Sequence, residues 1–122
     1  MAKDFRLCLL FEVYKGILTD KQQEAFVNYY YDDLSLSEIS ENTGITRQGA
    51  RDAIKRSEEI LIDMEEKLGL SATLCALKEG LRQIETLCVS ASGEAAKGHW
   101  NQVTEMLSEI KTISERLEED GI

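Results

Sequence analysis

The chain has 122 residues, which suits one compact domain or a small domain with a helical extension. A hydrophobic share of 43% supplies a core and excludes a wholly disordered chain, and the formal net charge of −9 excludes a generally basic surface. Any contact with nucleic acid must therefore come from a local basic patch. The sequence contains no proline and is rich in Leu, Ile, Glu, Lys and Ala, so it predicts an all-α fold.

The sequence also carries no sign of a membrane span, a disulfide framework or a metal site. No apolar run approaches the roughly 18 residues that a membrane span needs. The three cysteines, Cys8, Cys75 and Cys88, are an odd number, lie far apart and form no CxxC pair. We interpret them as small hydrophobic residues in a reducing cytosol, and we expect a cytoplasmic protein with no metal and no other cofactor.

The first predicted helix covers residues 4–14. Its apolar run, Leu7–Phe11, is too short for the core of a signal peptide and indicates a buried helix instead. Gly16 is well placed to end this helix. The residues expected on its buried face are Phe5, Leu9 or Leu10, and Val13.

Two capping boxes mark the start of the next two helices. Thr19–Gln22 begins a helix that runs to about Asp32, and Ser35–Glu38 begins a short helix that ends near Thr43. In each box a hydroxyl and a longer polar side chain serve backbone N–H groups that would otherwise lack a partner. The residues that the second helix is expected to bury are Phe26 and Tyr30.

The segment 36–56 has the features of a helix-turn-helix. Two short helices must cross closely, which favours a small residue on the first, here Ser40. The sharp turn needs a left-handed residue followed by an apolar one, and Gly44 and Ile45 fill these positions. Thr46 then caps a longer helix over residues 47–68.

This longer helix, ended by Gly69, has two different sides. Ala50 and Ile54 share the side expected to be buried, and polar side chains share the opposite side. Residues 47–56 include four basic residues and one acidic residue, which gives a local net charge of +3. Arginine and glutamine can bond base edges, and lysine and arginine can hold phosphates. The predicted nucleic-acid-binding residues are Thr46, Arg47, Gln48, Arg51, Lys55 and Arg56.

Beyond Gly69 the apolar residues recur at alternating spacings of three and four, the pattern of a helix that packs along a seam. The segment Ser92–Gly98 is the best break in this half. We therefore predict a helix-turn-helix domain over residues 1–69 and a helical extension over 70–122, either an antiparallel hairpin or helices that pair between chains. So much apolar seam also predicts a homodimer. The seam positions are Leu74, Leu77, Leu81, Ile84, Cys88 and Ala91 before the break, and Val103, Met106, Ile110, Ile113 and Leu117 after it.

The stretch from Leu10 to Leu70 resembles the YlxM family of helix-turn-helix proteins, which look like region 4 of bacterial sigma factors. The runs that carry the resemblance are Leu18–Gln23, Tyr29–Ile39, Thr46–Gly49 and Asp52–Glu58. Members are encoded beside signal recognition particle genes. The resemblance implies a cytoplasmic regulatory or accessory role in protein targeting, through DNA, the particle's RNA or its GTPase, with the six residues of 46–56 at the binding positions. Residues 71–122 differ from the shorter charged tail of the family.

Two functions stay open at this point, and neither is enzymatic. The first is a regulatory protein that binds nucleic acid, and the second is a protein-interaction factor of the targeting machinery that does not bind DNA. The helix-turn-helix favours the first function, and the net charge and the extension favour the second. No catalytic residues are predicted, because His99 is the only histidine and no phosphate loop, zinc-protease or dinucleotide motif occurs.

Overall fold

The computed structural model describes residues 1–121 and is all-α, which confirms the predicted fold class. No strand occurs within these residues. The chain divides into two compact units, Met1–Ser71 and the residues from Ala72 onward. None of the helices over residues 1–121 is both long and apolar enough to cross a membrane. The helices are α1 Arg6–Tyr14, α2 Asp20–Tyr30, α3 Leu36–Thr43, α4 Arg47–Leu68, α5 Leu70–Ala96 and α6 Trp100–Gly121.

The buried face of α1 agrees with the predicted one only in part, since Leu10 and Val13 pack against the core but are not fully buried. Leu7, Phe11 and Tyr14 point into the core, whereas Phe5 and Leu9 are 64% and 58% exposed. The reason is aromatic packing, because the ring of Phe11 stacks on a core ring of α2 with the centroids 4.5 Å apart. Position 11 then fixes positions 7 and 14 on the same side of the helix.

The helix α1 ends at Tyr14 as predicted, but Gly16 does not have the predicted role. Gly16 does not adopt the left-handed conformation of a helix stop, and it lies inside a 3₁₀ turn over Lys15–Ile17. The turn ends at Leu18, which is buried and extended. Thus a tightening of the helix, rather than a glycine cap, brings the chain to the start of α2.

Both predicted capping boxes are present. The Thr19 hydroxyl accepts a hydrogen bond from the Gln22 N–H at 3.2 Å, and the Gln22 side chain accepts one from the Thr19 N–H at 2.9 Å. Ser35 and Glu38 make the same pair of bonds at 3.1 and 3.2 Å. The helices α2 and α3 therefore begin where the sequence predicted. As predicted, α2 buries Phe26 and Tyr30.

The central helix of the first unit is α4, which packs against α1, α2 and α3. It begins at the Thr46 cap and ends at Gly69, whose φ of 63° is left-handed. Its buried side is made of small and aliphatic residues, so the neighbouring helices approach it closely. These residues are Ala50, Ile54, Ser57 and Leu61.

In the second unit α5 and α6 form an antiparallel hairpin. The side chain of Leu117, near the end of α6, fits against Gly80 in the first half of α5. The two helices are joined at Lys97–His99, and Gly98 is left-handed with a φ of 78°. The predicted break was too early, because α5 continues to Ala96.

The only histidine helps to hold the hairpin turn. Nδ1 of His99 lies 2.6 Å from Oε2 of Glu94, and this hydrogen bond holds the pKa of the Glu94 carboxyl below its usual value. Both side chains lie at the surface. This contact gives His99 a structural role in the hairpin turn.

The seam of the hairpin uses only half of the predicted α5 positions. Leu77, Ile84 and Ala91 turn towards α6, whereas Leu74 and Leu81 are 42% and 59% exposed. Cys88 is also exposed. The predicted positions on α6 are all at least partly buried. A second apolar line therefore remains on the outside of α5.

Candidate nucleic-acid interface

The turn between α3 and α4 is fixed by a left-handed glycine and two hydrogen bonds. Gly44 has a φ of 76°, and its N–H donates to the Ser40 carbonyl at 3.0 Å. The Ser40 hydroxyl donates to the carbonyl of Ile45 at 2.5 Å. Ser40 is thus small enough for the helices to cross, and it also ties the end of the turn to α3. This sets the direction in which α4 leaves the turn.

The first turn of α4 is closed by Thr46. Its hydroxyl oxygen accepts a hydrogen bond from the Gly49 N–H at 2.9 Å, and its carbonyl accepts one from the Ala50 N–H at 2.8 Å. A Cβ at position 49 would lie 3.0 Å from the Thr46 hydroxyl oxygen. Glycine has a low helix propensity, so Gly49 disfavours the helix. Its lack of a side chain, however, lets the Thr46 hydroxyl approach the backbone of residue 49 closely. The hydroxyl proton of Thr46 can still be donated to an acceptor such as a phosphate.

All six predicted binding residues lie on the surface, but they differ in their partners. Arg47, Arg51 and Lys55 follow one another at intervals of four, so they line up along one side of α4. Gln48 donates a hydrogen bond to the Asp52 carboxylate at 2.8 Å. Asp52 is the only acidic residue of these turns, and this bond engages its side chain. We call Arg47, Arg51 and Lys55 the basic stripe.

The basic stripe stands out because most other cations of the chain are paired. Eight of the fourteen Lys and Arg residues lie within 4.0 Å of a carboxylate oxygen. Arg56 is one of them, at 3.4 Å from Glu59. Within residues 1–121 the three members of the basic stripe make no such pair. Their charges are therefore available to an anion from outside.

Arg47, the first member of the basic stripe, also lies at the electrostatically less favourable end of its helix. The first turn of α4 contains no acidic residue, and the helix starts with Arg47. Backbone dipoles already make a helix N-terminus positive, so acidic residues are favoured there and cations cost roughly 0.3–1 kcal/mol each. Such a local cost is typical of a functional position rather than of one selected for stability. The backbone and the side chains together attract an anion at this end.

The later turns of α4 are acidic and bound the basic region. Glu58 accepts a hydrogen bond from the Tyr30 hydroxyl, and Glu59 and Asp63 pair with cations of the same helix. Glu66 adds a further exposed carboxylate. A polyanion can therefore lie against only the first three turns of α4, about 16 Å of helix.

One cation near the turn was not predicted from the sequence. Lys21, in the first turn of α2, lines a small cavity of about 50 Å³ together with Thr43 and Ile45. It is exposed, and it makes no ion pair within the described part of the chain. Only the packing of α2 against the helix-turn-helix brings Lys21 to this place. Its position in the capping box was the one local signal that it would lie at an exposed helix start.

Comparison with known proteins places the sequence in a family. A family model described as "UPF0122: Putative helix-turn-helix protein, YlxM / p13 like" matches residues 1–98. The match continues past Leu70 through α5, so the helical extension departs less from the family than the sequence suggested.

Individual relatives agree with this match. A UPF0122 protein of Caldanaerobacter subterraneus subsp. tengcongensis is 54% identical over 71 residues, which is 57% of this chain and 61% of the relative. A UPF0122 protein of Desulforamulus reducens is 40% identical over 99 residues, 80% of this chain and 85% of the relative. One from Streptococcus gordonii is 44% identical over 84 residues, 69% of this chain and 76% of the relative. The chain thus spans about three-fifths of the length of the Caldanaerobacter relative.

Proposed function

Because the chain belongs to the UPF0122 family of helix-turn-helix proteins, we propose that it is a regulatory protein that binds nucleic acid through the first three turns of α4. The observation that carries this proposal is the basic stripe. Arg47, Arg51 and Lys55 are exposed, aligned and unpaired within residues 1–121, on a chain whose net charge is −9. Eight of the eleven other Lys and Arg residues make an ion pair within these residues, and Lys21, Lys78 and Arg116 are the exceptions. The role is binding and not catalysis.

Each of the six residues has a role that follows from its chemistry. Arg47 and Arg51 can bond guanine or phosphate bidentately, and Lys55 can hold a phosphate as a point charge. Gln48 can exchange its bond with Asp52 for an adenine edge. Thr46 is suited to donate its hydroxyl to a phosphate at the start of the helix. Arg56 must leave Glu59 before it can contribute, so we expect its effect to be the smallest.

The link to protein targeting rests on the resemblance to the YlxM family. It makes DNA and the RNA of the signal recognition particle the two nucleic acids to compare, and it favours a cytoplasmic location. The geometry of α4 accommodates either ligand, because phosphate contacts are common to both. The major groove of duplex DNA admits a helix, whereas the deep groove of duplex RNA does not, so RNA would be bound at loops or bulges.

The test is binding of the full chain to labelled duplex DNA and to the particle RNA across a series of salt concentrations. The decisive variant replaces Arg47, Arg51 and Lys55 by alanine. Its matched control replaces Lys67, Lys97 and Lys111 by alanine. These three cations are exposed and already paired with carboxylates three or four residues away. Both triple variants lose three positive charges, from −9 to −12, so net charge alone cannot separate them.

We expect each removed contact to weaken binding by about 1–3 kcal/mol and to lower the salt slope by about 0.9 on duplex DNA. The control should stay within about threefold of the unaltered protein, because exposed ion pairs contribute little. Equal losses in the two variants, or no binding to either nucleic acid at low salt, would refute the proposal. A preference between the two ligands separates transcription from protein targeting.

A second candidate function is supported by the far end of the hairpin. Trp100 begins α6, is 64% exposed and follows the His99 turn. Tryptophan is enriched among residues that dominate protein interfaces. The second unit is also acidic, with five basic and nine acidic residues. This favours an accessory factor that binds a protein of the targeting machinery, such as its GTPase, without DNA.

The two functions are separated by the residues they need. If the second function is correct, W100A abolishes capture of the purified GTPase, and the basic-stripe variant captures it normally. L107A is the matched control, because Leu107 is another exposed apolar residue of α6. Unchanged capture by W100A would exclude the hairpin tip as the binding surface.

A further inference from the structure

We call the side of α5 that carries Leu74, Leu81 and Cys88 its outer face; it lies beside the seam with α6, and its apolar line stays exposed within residues 1–121. Leu74, Leu81 and Cys88 are exposed and are spaced seven residues apart, so they lie on nearly the same side of the helix, about 10 Å from one to the next. The other half of the heptad pattern, Leu77, Ile84 and Ala91, packs against α6 on the neighbouring side of the helix, roughly 40–80° around from Leu81. A single exposed leucine needs no explanation, but a line over four helical turns does.

Two charges flank this line on one side. Lys78 comes three residues before Leu81, and Glu85 comes four residues after it. Within residues 1–121 neither makes an ion pair, whereas Arg82 on the same helix pairs with Glu79. Lys78 and Glu85 therefore have opposite signs, lie at nearly equal distances from Leu81 and make no ion pair with any residue of the described range 1–121.

We propose that this face binds a second copy of the chain, with the two α5 helices antiparallel and a two-fold axis at Leu81. In this arrangement Leu81 meets Leu81 of the second copy, and Leu74 meets Cys88 of the second copy. Lys78 then faces Glu85 of the second copy, and the same contact repeats on the other side of the axis. A closed two-fold dimer requires such a self-complementary surface.

The charges select the antiparallel direction. In a parallel pair the two-fold axis runs along the helices and puts Lys78 and Glu85 of the two copies on opposite sides of the seam, so no contact between Lys78 and Glu85 forms. An unrelated partner would not need charges placed symmetrically about Leu81. The apolar repeats of the sequence predict a dimer, and the outer face of α5 supplies the surface and the register. The proposal does not rest on nucleic-acid binding.

The first test is sedimentation equilibrium of the full chain over a range of concentrations. We expect a reversible dimer that L81E weakens by about tenfold or more, because two carboxylates would meet at the axis. S90E adds the same charge at an exposed position of α5 on another side and should leave the dimer unchanged. Far-UV circular dichroism checks that both variants stay helical. A monomer at every concentration, or a dimer that L81E leaves intact, overturns the proposal.

The second test fixes the direction of the helices by exchanging charges. K78E and E85K should each weaken the dimer, since like charges then face each other twice. The double variant K78E/E85K should restore it, because the opposite charges face each other again. Single variants without effect, or a double variant as weak as the singles, would exclude this register.

Cross-linking gives an independent reading of the same register. The chain L74C/C8S/C75S retains Cys88 as its only native cysteine. Oxidation should join the cysteine introduced at position 74 to Cys88 of the second copy, as identified by peptide mass spectrometry. A disulfide between the two copies of position 74 would instead indicate a parallel pair and overturn the assignment.

Discussion

The hydroxyl of Tyr30 on α2 lies 2.5 Å from the Oε2 atom of Glu58 on α4. The same hydroxyl oxygen accepts a hydrogen bond from the N–H of Asp4 at 3.3 Å. One buried phenol therefore joins the N-terminal segment, the second helix and the helix that carries the basic stripe. Glu58 is the first acidic residue after Lys55, so this contact also holds a carboxylate in place beside the proposed interface.

Y30F should destabilise the first unit by about 1–3 kcal/mol, because the charged Glu58 loses a donor at a partly buried position. Urea unfolding can be followed by near-UV circular dichroism of tyrosine, because all four tyrosines lie in the first unit. Y31F is the control, since the Tyr31 hydroxyl bonds to Glu12 at the surface. Equal effects of the two substitutions would contradict the special role of Tyr30.

The first unit should lose stability at alkaline pH. Burial, together with a hydrogen bond to a carboxylate, raises the pKa values of Tyr14, Tyr30 and Tyr31 above the ordinary value of 10.0. The folded state then binds these protons more tightly than the unfolded state. The stabilisation is complete below pH 10 and is lost as the pH rises beyond it. Urea midpoints measured from neutral to strongly alkaline pH should fall, and less steeply for Y30F. A flat profile would count against this linkage.

The turn of the helix-turn-helix should depend on its glycine. G44A places a side chain at a φ of 76° and should cost about 1–2 kcal/mol, although no atom within 4 Å opposes the new Cβ. G16A is the matched substitution, because Gly16 has equal space and no positive φ, and it should be neutral or slightly stabilising. Urea midpoints of the two variants make the comparison. Similar values would show that backbone strain at Gly44 is unimportant.

Two glycines of α5 should respond in opposite directions. G93A meets nothing within 4 Å and should stabilise the hairpin by about 0.5–1 kcal/mol. G80A brings a Cβ within 2.6 Å of the Leu117 side chain, with Cγ at 3.0 Å, and should cost about 1 kcal/mol or more. Trp100 is the only tryptophan, so its fluorescence reports unfolding of the second unit. A stabilising effect of G80A would mean that the packing of Leu117 does not depend on the absence of a side chain at position 80.

Local signals predicted the helix starts correctly because their contacts span only three residues. Thr19 with Gln22, and Ser35 with Glu38, make hydrogen bonds whose geometry depends on nothing outside the helix start. The turn at Gly44 follows the same logic. The predicted binding residues lie together on the surface for a similar reason, since they belong to three consecutive turns of one helix.

The buried face of each helix was harder to predict, because tertiary packing decides which of several similarly apolar residues become buried. Leu74 and Leu77 are equally apolar, but α6 covers only the second. The inner face includes Gly80, which carries no hydrophobic signal, yet its lack of a side chain admits Leu117. In α1 the stacking of Phe11 fixed the rotation of the helix. Lys21 was missed because only tertiary packing brings it to the turn.

The charge at the start of α4 has a further consequence for folding itself. Repulsion among Arg47, Arg51, Lys55 and the positive helix end opposes the folded first unit. An anion that occupies this end removes the repulsion and binds only the folded form, so occupancy and folding are linked. A polyanion should therefore raise the melting temperature of the first unit. The first unit would then be more stable with its ligand bound than without it.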